Sequence, residues 1–203
     1  KYFAFALILA LASASEWAVL LAGSEGNTIA NVPYLGYSNY RHQSDVAHMY
    51  GVLTDHKYDP DHIIVLMVDD LPDSSHNPFP GTIYNHPGDH QRNYHDGLVV
   101  DYDKSVKINV ELYSAILLGD ADKVTELTGI KNPKVVKSTA EDNIFLYYID
   151  HGGDNIVAMP SGGYLTAETL VGLIKQMYEK KMYNRLVYYL EAAVWFDVAE
   201  ASY

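Results

Sequence analysis

The sequence predicts an α/β fold in which helices cover both faces of a mostly parallel central sheet. Four short apolar segments have the composition of strands that are buried on both faces. Segments with helical periodicity lie between them, which is the alternation expected of a parallel sheet. With 203 residues, of which 48% are hydrophobic, the chain is long enough for one domain with a substantial core.

Each predicted strand is a nearly continuous apolar run. The first ends at Gly23, the second is closed by Asp69 and Asp70, and the third is followed by Asp150. Glycine and clustered aspartates are typical of the turns that follow buried strands. The four predicted strands are 17–23, 62–68, 143–149 and 185–190.

Three helices are predicted between these strands. The segment 41–53 carries four apolar residues at helical spacing, and 106–118 has a similar apolar set. The segment 166–181 begins with threonine and has lysines in its last turn, where positive charge favours the helix dipole. Two segments rich in glycine, proline and asparagine, 24–39 and 71–102, are predicted to be loops.

Charge and cysteine content exclude several classes of function. The formal net charge of −12 at pH 7 repels a phosphate backbone, so nucleic acid is not an expected partner. The chain contains no cysteine. It therefore has no disulfide, no thiolate metal site and no cysteine nucleophile.

The first residues have the pattern of a secretory signal peptide. Lys1 precedes an apolar run at 3–12, which is followed by small residues. A membrane-spanning helix needs about 20 apolar residues, so the run is short for that purpose. We expect residues 1–14 to be removed, with a buried N-terminal helix as the alternative.

Polar residues follow the carboxyl ends of two predicted strands. In parallel sheets, ligands bind at these ends. The two segments are Asp150-His151-Gly152-Gly153 and Glu191-Ala192-Ala193. A histidine there can serve as a general base, and the N–H of the following glycine can hold an oxyanion. A histidine that only ends a strand before a tight glycine turn is the alternative.

Several short segments, taken together and in this order, resemble the legumain family of cysteine peptidases, which cleave after asparagine. They are Ser-Asn-Tyr-Arg-His-Gln at 38–43, Val-Asp-Asp at 68–70, Asn-Pro at 77–78, Asp-His-Gly-Gly at 150–153, Ala-Met-Pro at 158–160 and Val-Tyr-Tyr-Leu-Glu-Ala at 187–192. The resemblance covers 16–192. It implies a caspase-like three-layer sandwich that is incomplete at its C-terminus.

The resemblance also implies a role for individual residues. His151 matches the catalytic histidine, Gly152 the oxyanion-hole glycine, and Asn39 the asparagine that orients the histidine. The position of the nucleophile is Ala193, so the cysteine that attacks the substrate is lost.

The substrate-binding residues implied by the resemblance have charges of both signs. Arg41 and Glu191 match the pair that grips the substrate asparagine, and His42 lies in the same segment. Asp150 matches the aspartate beside the catalytic histidine. An asparagine side chain has both a donor and an acceptor, so a pocket with both charge signs suits it.

The resemblance ends after Ala192, and the loop at 25–37 is longer than the family's usual connection. We therefore expect a signal peptide at 1–14, a peptidase-like domain at 15–192 and an aberrant tail at 193–203. The implied compartment is the secretory pathway leading to a vacuole or lysosome. The chain is then an incomplete peptidase, a non-catalytic pseudopeptidase that binds asparagine-containing proteins or peptides, or the product of a misread gene.

Two other interpretations of the sequence concern a different family and a metal site. A glycosylphosphatidylinositol transamidase-like subunit shares the Asn-Tyr-Arg-His and His-Gly-Gly segments, but Asp150 and Leu190-Glu191-Ala192 favour the legumain type. A metal site could be built from loop residues, but their spacing is not that of ligands on a helix face. These residues are His86, Asp89, His90, His95 and Asp96. A solvated loop with no metal and no cofactor is the expectation.

Overall fold

The computed structural model describes residues 14–23, 40–75, 77–86 and 92–192. The predicted loop at 24–39 and tail at 193–203 lie outside these ranges, as does the predicted signal peptide except for Ala14. The strands are β1 Glu16–Ala22, β2 Ile63–Leu66, β3 Asn143–Asp150, β4 Gly152–Gly153, β5 Ile156–Ala158, β6 Tyr164–Thr166 and β7 Arg185–Ala192. The helices are α1 Tyr40–Asp55, α2 Val110–Leu117, α3 Ala121–Thr128 and α4 Ala167–Glu179, with a short 3-10 helix at Pro60–His62.

The central sheet has the strand order β2-β1-β3-β7, and every neighbouring pair is parallel. In the β3–β7 register, Ile149 is beside Glu191 and Asp150 is beside Ala192. The predicted α/β fold with a parallel sheet is confirmed. Because β3 and β7 are parallel neighbours, the polar residues at their carboxyl ends lie side by side on the same side of the sheet.

Helices cover both faces of this sheet, which gives three layers. Val19 and Leu21 of β1 belong to a core cluster that includes residues of α2, α3 and α4. Ala18 and Leu20, which point to the opposite face, pack in a second cluster with residues of α1. Since β1 is buried on both faces, its continuous apolar sequence is explained.

Side-chain caps determine where several helices begin. The Thr166 side chain accepts a hydrogen bond of 3.1 Å from the N–H of Thr169, so the predicted threonine start of α4 is confirmed. Asn109 accepts in the same way from the N–H of Leu112 at 3.0 Å. Because Asn109 caps the helix, α2 begins at Val110 and not at the predicted residue 106. No described helix has both the length and the apolar character needed to cross a membrane.

A small antiparallel sheet of three strands, in the order β4-β5-β6, follows the carboxyl end of β3. Gly152 pairs with Val157, and Gly153 pairs with Ile156. The hydroxyl of Tyr148 donates a hydrogen bond to the carbonyl of Ala158, which ties this sheet to β3. The two glycines after His151 therefore form an edge strand.

Within the described parts of 71–102 there is no helix and no strand, as predicted. Asn77 organises this loop from a buried position. Its side-chain amide donates to the carbonyls of Leu71 at 3.0 Å and Thr82 at 2.9 Å. Its side-chain oxygen accepts from the N–H of Phe79 at 3.0 Å.

Replacing this asparagine (Asn77→Ala) should lower the free energy of unfolding by about 2 kcal/mol, because buried carbonyls lose their donors. Urea denaturation followed by circular dichroism measures the change. Asn184→Ala is the control, since Asn184 is exposed and its side chain makes no hydrogen bond to the described residues. Equal stability of the two variants would contradict a structural role for Asn77.

Candidate active site

A cavity of about 240 Å³ opens at the carboxyl ends of β3 and β7, beside the first turn of α1. It is lined by residues of these three elements and by His151, which directly follows β3; the full set is Arg41, His42, Asp45, Ile149, Asp150, His151, Glu191 and Ala192. Five of the predicted site residues are thus together in one place. Gly152 follows in β4, whereas Asn39 and Ala193 lie outside the described residues.

The first turn of α1 supplies one wall of the cavity. Arg41 and Asp45 are four residues apart, so they lie on the same face of the helix. Arg41 is exposed, and His42, one position further along, is buried. The helix thus presents a guanidinium to the opening of the cavity and an imidazole to its base.

Asp150 is the most deeply buried charged group of the site, with a side chain that is 0% exposed. Its Oδ1 accepts a hydrogen bond of 2.6 Å from the N–H of His151 and lies 3.5 Å from Nδ1 of His42. Its Oδ2 accepts no hydrogen bond from the part of the chain that the structure describes. Burial raises the pKa of Asp150 to about 7, although the N–H of His151 opposes this shift.

His42 is neutral over most of the physiological range. Burial, followed by the proximity of His151 and Arg41, lowers the pKa of His42 to about 4. Between about pH 4 and pH 7 both His42 and Asp150 are therefore mostly uncharged. Their 3.5 Å contact is then a contact between neutral groups and not an ion pair.

His151 approaches His42 edge to face, with 4.9 Å between the ring centroids. His151 is half-buried and borders the cavity, and the Nε2 atom of its ring is buried. In chemical terms it can accept a proton, and the N–H groups of the adjacent β4 glycines can donate hydrogen bonds.

Gly23 is a site residue that the sequence did not predict. Its N–H donates a hydrogen bond of 2.9 Å to the carbonyl of Ile149, which places it directly beside Asp150. A Cβ on Gly23 would lie 1.8 Å from Oδ2 of Asp150. The absence of a side chain at this position is what leaves room for the Asp150 carboxyl group.

Asp45 and Tyr147 are two further residues of the site that sequence reasoning missed. Asp45 accepts a hydrogen bond of 2.6 Å from the side-chain amide of Asn85, and burial raises the pKa of Asp45. The hydroxyl of Tyr147 donates to Oε1 of Glu191 at 3.3 Å. The carboxyl groups at the rim of the cavity are therefore held by neighbouring donors.

Among the described residues, His42, Asp150 and His151 form a group that could hold a metal ion, since their ligand atoms lie within 4.8 Å of one another. The histidines of the long loop are arranged differently. His86 is exposed, and Nε2 of His95 lies 3.2 Å from Oδ1 of Asp69. His90, with Asp89, lies outside the described residues.

Comparison with known proteins identifies the family of the chain. The sequence model of the Peptidase C13 family matches residues 16–195. The chain is 40% identical over 181 residues to the delta-isozyme of vacuolar-processing enzyme from Arabidopsis thaliana, covering 89% of this chain and 35% of that protein. It is 38% identical over 178 residues to the vacuolar-processing enzyme of Citrus sinensis, covering 88% and 33% of the two chains.

A third relative is a hemoglobinase. The chain is 38% identical over 178 residues to the hemoglobinase of Schistosoma japonicum, covering 87% of this chain and 37% of that protein. The chain thus spans about a third of the length of these relatives. With the family match extending over nearly all described residues and the parallel sheet carrying His151 at its edge, the chain belongs to the Peptidase C13 family.

Proposed function

We propose that this chain binds proteins or peptides through an asparagine side chain and does not cleave them. The observation that supports the proposal is that Arg41 and Glu191, with opposite charges, line the same cavity. Cavities of about 240 Å³ can take one amino-acid side chain, and this one is bordered by His151.

The side-chain amide of asparagine is complementary to both of these charges. Its carbonyl oxygen accepts hydrogen bonds, which the Arg41 guanidinium can donate. Its NH₂ group donates, and the Glu191 and Asp45 carboxylates can accept. An ionised aspartate would instead meet two carboxylates at the rim, so the same cavity disfavours it by like-charge repulsion.

The second half of the proposal concerns the missing chemistry. In a cysteine peptidase the histidine activates a thiol, and a backbone N–H stabilises the oxyanion that forms. The family resemblance assigns these two roles to His151 and Gly152, and the orientation of His151 to Asn39. The nucleophile position is Ala193, however, and a methyl group cannot attack a carbonyl. The site then retains recognition without bond cleavage.

The relatives named vacuolar-processing enzymes suggest where such binding would occur. We propose that the chain enters the secretory pathway, that residues 1–14 act as its signal, and that it resides in a vacuole or lysosome. An acidic lumen would keep Asp150 protonated, because burial raises the pKa of this group to about 7.

Replacing the cavity's guanidinium (Arg41→Ala) should weaken binding of a short peptide with one central asparagine at least tenfold. A hydrogen bond from a charged donor contributes about 1.5–3 kcal/mol, which corresponds to roughly 10- to 150-fold in affinity. Isothermal titration calorimetry at about pH 5.5, a pH between the values at which His42 and Asp150 titrate, measures the affinity.

The control is Arg92→Ala, which removes an arginine that is paired with Asp55 at the other end of α1. This variant should bind the peptide as the unaltered chain does. Peptides with aspartate, glutamine or alanine in place of asparagine test selectivity. If the alanine peptide binds as tightly as the asparagine peptide, the cavity does not recognise the amide and the proposal is wrong.

A further inference from the structure

We propose that His42, Asp150 and His151 form a binding site for a divalent transition metal ion, of which Zn²⁺ is the best fit. The site would use one ring nitrogen from each histidine, one carboxylate oxygen, and a water molecule from the cavity as the fourth ligand. This inference is independent of peptide binding and of any peptidase activity.

The positions of the three side chains are close to those that zinc requires. Ligand atoms at about 2.1 Å from a tetrahedral zinc ion lie roughly 3.4 Å from one another. Nδ1 of His42 and Oδ1 of Asp150 are 3.5 Å apart, which matches this spacing. All the ligand atoms of the cluster lie within 4.8 Å of one another, so side-chain shifts of no more than about 1.4 Å would bring them to the zinc spacing.

The Asp150 carboxyl group supplies an independent indication of a ligand. Its side chain is completely buried, and its Oδ2 accepts no hydrogen bond from any described residue. Buried carboxylates in proteins are normally hydrogen-bonded, paired or coordinated to a metal. A cation bound to this carboxyl group would provide the partner that Oδ2 does not find among the described residues.

The charges around the cavity favour a cation over an anion. Asp45, Asp150 and Glu191 each contribute a carboxyl group, against the single guanidinium of Arg41. A doubly charged ion would therefore be attracted into the cavity when these carboxyl groups are ionised.

The donor set distinguishes among metals. Two imidazoles and one carboxylate suit Zn²⁺ and related transition metals, whereas Mg²⁺ and Ca²⁺ prefer sites made only of oxygen atoms. Three protein ligands and an open fourth position are also the arrangement of catalytic zinc sites, in contrast to closed structural sites with four protein ligands. The cavity of about 240 Å³ has room for the water ligand.

Equilibrium dialysis of the untagged chain against Zn²⁺ at about pH 7.5, followed by elemental analysis, tests the proposal, since imidazole and carboxylate ligands must be deprotonated to bind. We expect one Zn²⁺ per chain and no binding of Mg²⁺ at the same concentration. His151→Ala and Asp150→Asn should each weaken Zn²⁺ binding at least tenfold.

The matched control is His95→Ala, which removes a histidine that contacts Asp69 outside the cluster. This variant should bind Zn²⁺ as the unaltered chain does. Because His151 is half-buried, its replacement keeps the core intact, and circular dichroism verifies that the variant is folded. Unchanged Zn²⁺ binding by the folded His151→Ala variant, or an equal loss with His95→Ala, would overturn the proposal.

Discussion

The 203-residue chain is expected to leave an asparagine-containing fluorogenic peptide uncleaved at about pH 5 to 6, a range in which histidine-dependent catalysis responds to pH. Removing the attacking group of a catalytic triad lowers the rate by about a millionfold, because the remaining groups only polarise and position the substrate. Ala193 occupies the position that the family resemblance assigns to the nucleophile, and no cysteine occurs anywhere in the chain. The chain therefore offers no thiol from which His151 could accept a proton.

The assay requires a positive control and a chelator. A plant vacuolar-processing enzyme assayed in parallel verifies the substrate and the buffer, and EDTA removes metal ions that could activate water. Turnover that persists in EDTA and disappears with His151→Ala would contradict the prediction. It would show that another group in the chain acts as the nucleophile.

The central sheet could be predicted from the sequence because its strands are buried on both faces. A strand such as β1, which is apolar at nearly every position, has few alternatives to the centre of a parallel sheet. The positions of Asp150 and Glu191 follow from this, since residues that end parallel strands lie at one edge. In the structure they lie at the carboxyl ends of β3 and β7, which are also neighbours in the sheet.

Short elements could not be predicted, for a different physical reason. The strands β4, β5 and β6 have two or three residues each, which is too few for any periodicity to be visible. The helix α3 is a single polar stretch of eight residues in which only Val124 is buried. Only two residues in the sequence indicate this helix: Asp120, which caps its start, and Gly129, which ends it in a left-handed conformation.

Contacts between distant segments explain the rest of what the sequence did not reveal. Asn85 and Asp45 are 40 residues apart in the chain, and a predicted loop gives no indication of which helix it will touch. Gly23 was assigned only as the end of a strand. Its role depends on the β1–β3 register, which places it beside Asp150.

Replacing that glycine (Gly23→Ala) should lower the free energy of unfolding by about 3 kcal/mol, the upper end of what overpacking of a core usually costs. The new Cβ would lie 1.8 Å from Oδ2, 1.9 Å from Cγ and 2.2 Å from Cβ of Asp150. The clash includes the Cβ of Asp150, which rotation about the Cα–Cβ bond does not move. The Asp150 carboxyl group must leave its position between Gly23 and His42.

Gly172→Ala is the matched control and should change stability in the opposite direction. Gly172 lies inside α4, and apart from its chain neighbours and the backbone of its own helix, no described atom would come within 4 Å of a Cβ placed there. Alanine favours a helix over glycine by roughly 0.5–1 kcal/mol, so this variant should be slightly more stable. Urea denaturation of both variants, with unchanged m-values, measures the two effects on one scale.

A double variant tests whether the loss arises from Asp150 itself. Asp150→Gly removes the three atoms nearest to a Cβ on Gly23, so the methyl group could occupy the vacated space. The two substitutions together should then cost less than the sum of the single effects, with a coupling of at least about 1 kcal/mol. Strict additivity would mean that the two residues do not compete for the same volume. In that case the buried carboxyl group beside His42 would not depend on the absence of a side chain at position 23.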